Sequence, residues 1–252
     1  MKSPKDRDAR SVGEKFRAAR AESALARQVS RERTRVERAR DALEAIEVEK
    51  NLGRSLFVEY ERPRKAVLAR LDATEVRAGE ARLLSDVHLC VEREARIRVA
   101  GGNGAGKTTL LRRLLEEAQL PAERVLHLPQ HTTEAVERRW LDELGTLGRD
   151  ARGRACSLLA ALGTDPSRVL DSGRPSPGEA RKIALATALG RHAWLLVLDE
   201  PTNHLDLPCV ERLEAALERF PGAIVLVSHD DAFAERLTSV TWTLQGGRVE
   251  LE

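Results

Sequence analysis

Hydrophobic and polar positions divide the chain into two textures. Residues 14–51 contain no proline, are rich in Ala, Arg and Glu, and read as one long helix. Val29, Val36 and Leu43 recur every seven positions, with Ala39 and Ile46 between them, the seam of a coiled-coil hairpin. Glu32 and Lys50 interrupt that seam, and Gly53 and then Pro63 close the helical pattern. From about residue 66, short β-type runs appear at 96–100, 124–128, 194–198 and 223–227. Helical runs at 108–118, 179–190 and 210–220 alternate with them. Strands that are apolar throughout, separated by helices, predict a parallel sheet covered on both faces. Residues 240–245 and 248–251 flank Gly246-Gly247 and predict a hairpin with a two-glycine turn. The pattern thus predicts a helical arm over 1–65 and an α/β domain over 66–252.

Composition refines this picture without changing it. Of the 252 residues 42% are hydrophobic, enough for a core, but only 3% are aromatic, so Leu, Val, Ile and Ala must build it. Net charge is only +2 yet unevenly spread. Residues 1–40 carry 13 Lys/Arg against 6 Asp/Glu, and the other 212 carry 29 against 34. A basic arm on a mildly acidic body suggests an anionic partner for the arm; a solvated helix face explains the composition equally well. Cys90, Cys156 and Cys209 form no CxxC pair, which argues against a disulfide framework or zinc site and fits a reducing cytosol. The apolar runs at 193–198 and 223–227 fall far short of the ~20 residues of a membrane helix, and the charged N-terminus has no signal-peptide pattern. A soluble, cytoplasmic protein without direct membrane insertion is expected.

The chemistry begins at Gly101-Gly-Asn-Gly-Ala-Gly-Lys-Thr108, which matches G-x-x-x-x-G-K-[ST] between a predicted strand and a predicted helix. Glycines let the backbone turn sharply, so that successive N–H groups face phosphate oxygens. The following helix adds the positive end of its dipole. Gly101, Asn103, Gly104, Ala105, Gly106, Lys107, Thr108 and the next residue, Thr109, are therefore expected to cradle a nucleotide. Lys107 would reach the β- and γ-phosphates, and the Thr108 hydroxyl would hold Mg²⁺. Downstream, the apolar run 194–198 ends in Asp199-Glu200. Carboxylates at the C-terminal edge of a parallel sheet sit where ligands bind in such folds. Asp199 is the expected Mg²⁺ ligand and Glu200 the general base that polarises the attacking water.

Two further strings have plain structural readings. Ser176-Pro-Gly-Glu179 places Ser at N-cap, Pro at N1 and Glu at N3, which is a capping box. Ser228-His229-Asp230 follows a strand, where a lone histidine is usually structural. The order of the whole set is more telling. Phosphate loop, Gln130, Ser-x-Gly-Glu, Asp-Glu, Asn203-His-Leu-Asp206 and His229 together resemble the ATP-binding cassette (ABC) ATPases over about residues 66–252. The resemblance implies an ABC-type nucleotide-binding domain: a mostly parallel sheet, flanking helices and a helical subdomain, here preceded by a long basic helix. It implies ATP and Mg²⁺ as cofactors and two cassettes sandwiching two nucleotides. Ser176 and Gly178, at the helix start that Glu179 caps, would then contact the γ-phosphate of the opposite nucleotide. Gln130 would sense Mg²⁺ and the attacking water. His229 would hold the γ-phosphate and orient Glu200, and Asp206 would lie across the interface between cassettes.

Pro201-Thr-Asn-His-Leu-Asp206 is similar to the ABC-F branch, whose members carry two cassettes joined by a charged helical hairpin and act on ribosomes. The Ser-Pro-Gly-Glu signature is shared with its antibiotic-resistance members. By this resemblance the arm corresponds to the later part of the hairpin, and its Lys and Arg would meet phosphates of rRNA or tRNA. The chain departs from the pattern in four ways. It has one cassette, so a second must come from a homodimer or a missing N-terminal half, and turnover by the monomer should be weak or absent. Pro175 and Pro177 replace the usual Leu and Gly of the signature. The segment between Gly106 and Gln130 is shorter than in transporter cassettes. No aromatic lies between residue 66 and the phosphate loop to stack on a base, which leaves GTP as well as ATP open. An ATPase subunit of a membrane transporter, or a fragment that binds nucleotide without turnover, are the competing readings.

Overall fold

The computed structural model describes residues 56, 57 and 59–252. The predicted arm over residues 14–51, with its seven-residue seam, lies outside the described residues. The chain enters an antiparallel hairpin, β1 (Val67–Ala78) and β2 (Ala81–Glu92), turning at Gly79 with φ 59°. There follow β3 (Arg96–Gly101), α1 (Lys107–Glu117), a 3₁₀ turn at Ala122–Arg124 and β4 (Val125–Leu128). Helices α2 (Glu134–Thr146), α3 (Arg149–Ala161), α4 (Pro166–Ser172) and α5 (Pro177–Gly190) come next. The remainder alternates: β5 (Leu195–Asp199), α6 (Leu207–Glu218), β6 (Ala223–Val227), α7 (Asp231–Leu237), β7 (Val240–Gln245) and β8 (Arg248–Leu251).

Six strands form one sheet in the order β4-β5-β6-β3-β7-β8, parallel except for β8, which pairs antiparallel with β7. The predicted two-glycine turn joins them; Gly246 and Gly247 both take positive φ, 57° and 74°, as such a turn requires. Both central strands, β5 and β6, are buried at every position. Alternation along them separates two cores. Leu196, Leu198, Ile224 and Leu226 face α2, α3, α5 and α6. Leu195, Val197, Ala223 and Val225 face α1 and the β1–β2 hairpin.

Helix α5 lies deepest, with Ala180 to Gly190 buried except Lys182, and so is apolar almost all round. Its Gly190 abuts α3: a Cβ there would stand 2.7 Å from the Ala151 carbonyl oxygen and 2.8 Å from the Ala155 Cβ. At the foot of the sheet, Phe57, Tyr60, His192 and Phe220 form a ring cluster with centroids 5.5–6.5 Å apart. The Tyr60 hydroxyl donates to the Ala193 carbonyl at 3.1 Å, and burial pushes its pKa up to about 12. His192 Nε2 lies 3.0 Å from the Leu56 carbonyl oxygen. The mostly parallel sheet, flanking helices and helical subdomain are as predicted. The hairpin β1–β2 was absent from the sequence reading, because its faces alternate Leu and Val with charged residues in a pattern broken by register shifts at Val67/Ala69 and Val76/Arg77.

Candidate functional site

The loop after β3 turns where the chain must bend back over the sheet edge. Gly101, Gly104 and Gly106 take φ of 143°, 80° and 102°, conformations that side chains strongly disfavour. A Cβ on Gly101 would also stand 2.8 Å from the Leu244 carbonyl oxygen. The Ala105 N–H donates to the Gly102 carbonyl, closing the turn. Gly106 caps α1 without a side-chain acceptor, so among the described residues no side chain caps the first N–H groups of that helix. Lys107 folds back over the loop, its Nζ donating to the carbonyls of Gly101 at 2.7 Å and Gly102 at 3.1 Å.

At the end of β5, Asp199 is buried and accepts a hydrogen bond from the Thr108 hydroxyl at 3.1 Å. Glu200, the next residue, is 4% exposed and has φ 52°. A non-glycine residue in that left-handed region is strained, and such strain gathers at functional sites. Three bonds fix it: its N–H donates to the Val227 carbonyl at 2.9 Å, and its own carbonyl accepts from Arg181 Nη1 at 3.2 Å and from the Asn203 N–H at 3.3 Å. Glu200 Oε1 is buried without a hydrogen-bond partner and lies 3.6 Å from Nε2 of His229, an exposed residue just past β6.

These groups converge. Asn103, Gly104, Gly106, Lys107, Thr108, Thr109, Gln130, Asp199, Glu200 and His229 line one cleft of about 550 Å³. Gly101 and Ala105 shape the loop behind it. The cleft adds Ala78, Leu83 and Val227, which the sequence reading missed. Ala78 and Leu83 flank the β1–β2 turn, so only recognition of that hairpin could have found them. A Cβ on Gly106 would touch Leu83 at 3.3 Å, so the hairpin packs directly on the loop.

The other predicted residues lie elsewhere. Ser176 caps α5: its Oγ accepts from the Glu179 N–H at 3.3 Å, and Glu179 Oε2 accepts from the Ser176 N–H at 2.9 Å. Glu179 Oε1 pairs with Arg168. Bonds from Ser176, then the Arg168 charge, hold the Glu179 carboxyl below its ordinary pKa. Oε2 therefore serves the cap, and Oε1 ties the start of α5 to Arg168 on α4. Gly178 packs closely on the next loop, where a Cβ would stand 3.1 Å from the His204 carbonyl oxygen. Asp206 is exposed and caps α6, accepting from the Cys209 N–H at 3.2 Å. The cleft residues thus form one group, and Ser176, Gly178, Glu179 and Asp206 line none of it.

The donor set can be tested for fit to the expected cofactors. A hydroxyl and a carboxylate are hard oxygen ligands in contact, the type Mg²⁺ takes alongside water and phosphate oxygens. The glycine loop, the uncapped N–H groups of α1 and a lysine at their mouth suit a polyphosphate. Both groups fit.

Comparison with known proteins agrees with this chemistry. Residues 84–203 match a family model described as ABC transporter. The chain is 33% identical over 196 residues to the ATP-binding protein Uup of Caulobacter vibrioides, covering 74% of this chain and 32% of that protein. It is 31% identical over 186 residues to the ribosome protection protein VmlR of Bacillus subtilis (68% and 33%). With the erythromycin resistance ATP-binding protein MsrA of Staphylococcus epidermidis it shares 30% over 191 residues (67% and 36%). The matches span about a third of each of these relatives. In fold it is similar to an ATP-binding subunit of an ABC transporter, with TM-score 0.58 and 24% identity over 73% of this chain and 89% of that one.

Proposed function

We propose that this chain, which belongs to the ATP-binding cassette family and carries a cassette of ABC-F type, binds Mg-ATP in the cleft above its phosphate loop and hydrolyses it together with a second cassette, acting on the ribosome. The observation that carries the first part is the convergence of Lys107, Thr108, Asp199, Glu200, Gln130 and His229 on a single cleft. Lys107 exchanges its two loop carbonyls for phosphate oxygens. Gly104, Gly106 and the first turn of α1 present N–H groups to the same phosphates. Thr108 and Asp199 hold Mg²⁺, with the Gln130 side chain beside them. When bound, the ion offsets negative charge on the transferred phosphoryl group. Glu200 Oε1, buried and unpartnered, is a ready acceptor for a proton of the attacking water. His229 lies close enough to orient that carboxylate.

The absence of Ser176 and Gly178 from the cleft lining supports the proposal of a second cassette. The γ-phosphate side is then open until another signature helix covers it. Their helix N-terminus is free to serve the other nucleotide in return. The ribosomal part rests on the named relatives and on the net positive charge of residues 1–40. Cationic side chains there would contact phosphates of rRNA or tRNA in a salt-dependent way.

Co-sedimentation with ribosomes tests this reading. Glu200→Gln, which keeps the ATP-bound state, should pellet with ribosomes in ATP but not in ADP. Equal pelleting in both nucleotides, or none when a complementary first cassette is supplied, would refute the ribosomal role.

A further inference from the structure

One charged side chain in the interior, met so far only as a donor to the Glu200 carbonyl, lines no part of the cleft. Arg181 lies on α5, five residues after the cap Ser176, and is 2% exposed. Among the described residues no carboxylate bonds it. Its guanidinium instead donates to three backbone carbonyls: Nη1 to Glu200 at 3.2 Å, Nη2 to Pro129 at 3.1 Å, and Nη2 also to Gln130. Those carbonyls come from two loops at the same edge of the sheet, one after β4 and one after β5. Each loop delivers a side chain to the cleft, Gln130 and Glu200. Burial lowers the Arg181 pKa, and the fields of Asp199, Glu137 and Glu200 oppose that shift. A buried guanidinium is retained where its planar fork can satisfy several acceptors at once. Here the fork joins the signature helix to both loops.

We infer that Arg181 is a positioning residue that holds Gln130 and Glu200 in register with the start of α5. The inference rests on the proposed reading of the cleft. Its consequence is directional. The start of α5 faces the second cassette, whereas Gln130 and Glu200 face this chain's own nucleotide. A small shift of α5 on engaging the other cassette is therefore passed to both catalytic loops through one rigid group. Conversely, filling this chain's cleft stiffens the start of α5. Lysine, with a single compact donor group, cannot hold three carbonyls in this geometry.

Two measurements test this. The first needs no substitution: hydrogen exchange of the full chain, at a concentration where light scattering shows monomer, with and without Mg-ATP. Protection should rise at 101–109, at 129–133 and also at 179–183. Protection at the first two segments alone overturns the inference. No protection at 101–109 instead refutes the nucleotide site itself. The second is a double-mutant cycle on kcat with Arg181→Lys and Gln130→Ala, run where the wild type turns over ATP. Arg181→Lys should lower kcat about 10- to 100-fold, the range for a small misplacement of catalytic groups. Its Kd for a fluorescent ATP analogue should change less than about 3-fold, a loss confined to the reaction step. The double variant should be no slower than the slower single variant, since both act through one loop. Multiplicative effects, or kcat and Kd worsening together, would overturn it.

Discussion

Glu200 concentrates the chemistry at a single residue. On the proposed reading, its strained backbone, buried carboxylate and nearby imidazole make it the proton acceptor for a water attacking the γ-phosphate. General-base removal typically costs 10²–10⁴-fold in rate. Glu200→Gln is accordingly expected to lower ATP turnover at least ~100-fold while leaving nucleotide affinity within a few-fold, read by phosphate release and by titration with a fluorescent analogue. Most residues of the cleft were legible in the sequence, because phosphate chemistry demands particular types in a fixed order. Gly101 to Thr108, Asp199 and Glu200 are of this kind. Ala78 and Leu83 were not, since nothing in a small or aliphatic side chain announces a ligand. Arg181 left a faint trace: with Lys182 it is one of two adjacent cations set among Ala180, Ile183 and Ala184 on a largely apolar helix. Such a residue must find acceptors when buried, but its sequence does not say which.

Helix α5 shows how an element serves both packing and function. Its start is fixed by the Ser176–Glu179 capping box and by Pro177 at the first helical position. Pro177 lacks an N–H, so the signature end offers one donor fewer to a phosphate. Its far end is packed through Gly190 against the backbone of α3. Replacing Gly190 by Ala forces the two helices apart. A loss of ~1–3 kcal/mol is expected, as for other overpacked interiors, visible as a lower urea midpoint; an unchanged midpoint would mean the helices part freely. The helices of the subdomain that packs on α5 were predicted only as a group. The breaks between α2, α3 and α4 fall at Gly148 and at Gly163 to Pro166, where Asp165 caps α4 and Pro166 opens it; the sequence reading assigned no separate element there. Boundaries elsewhere moved by a residue or two. Trp194, for example, precedes β5, its indole N–H donating to the Glu61 carbonyl at 2.8 Å.

The whole domain stands on a sheet whose two ends do different work. The C-terminal edge carries the cleft, and the foot carries the ring cluster of Phe57, Tyr60, His192 and Phe220. Burial lowers the pKa of His192, opposed by its bond to the Leu56 carbonyl, and burial likewise lowers that of His127. A depressed histidine pKa means that the unfolded chain takes up the proton first as pH falls. The stability both rings contribute is thus complete above about pH 6.5, the ordinary histidine value, and is lost progressively as pH drops through 6.5 towards the lower folded values. Melting temperature should be flat between pH 7 and 8 and fall below 6.5; His192→Gln should flatten part of that fall, and an identical slope in the variant would contradict the assignment. Among the described residues no helix is long and apolar enough to cross a membrane.

The proposed activity of the whole molecule depends on the cleft being a Mg-ATP site which a partner cassette completes. Equilibrium binding of ATP to the wild-type chain and to Lys107→Ala, each with Mg²⁺ and with chelator, tests it most directly. Saturable binding is expected, strengthened by Mg²⁺ and weakened at least ~10-fold by Lys107→Ala, the loss of a charge-assisted contact to phosphate. Equal affinity in the two proteins, or no binding to either, would contradict that assignment.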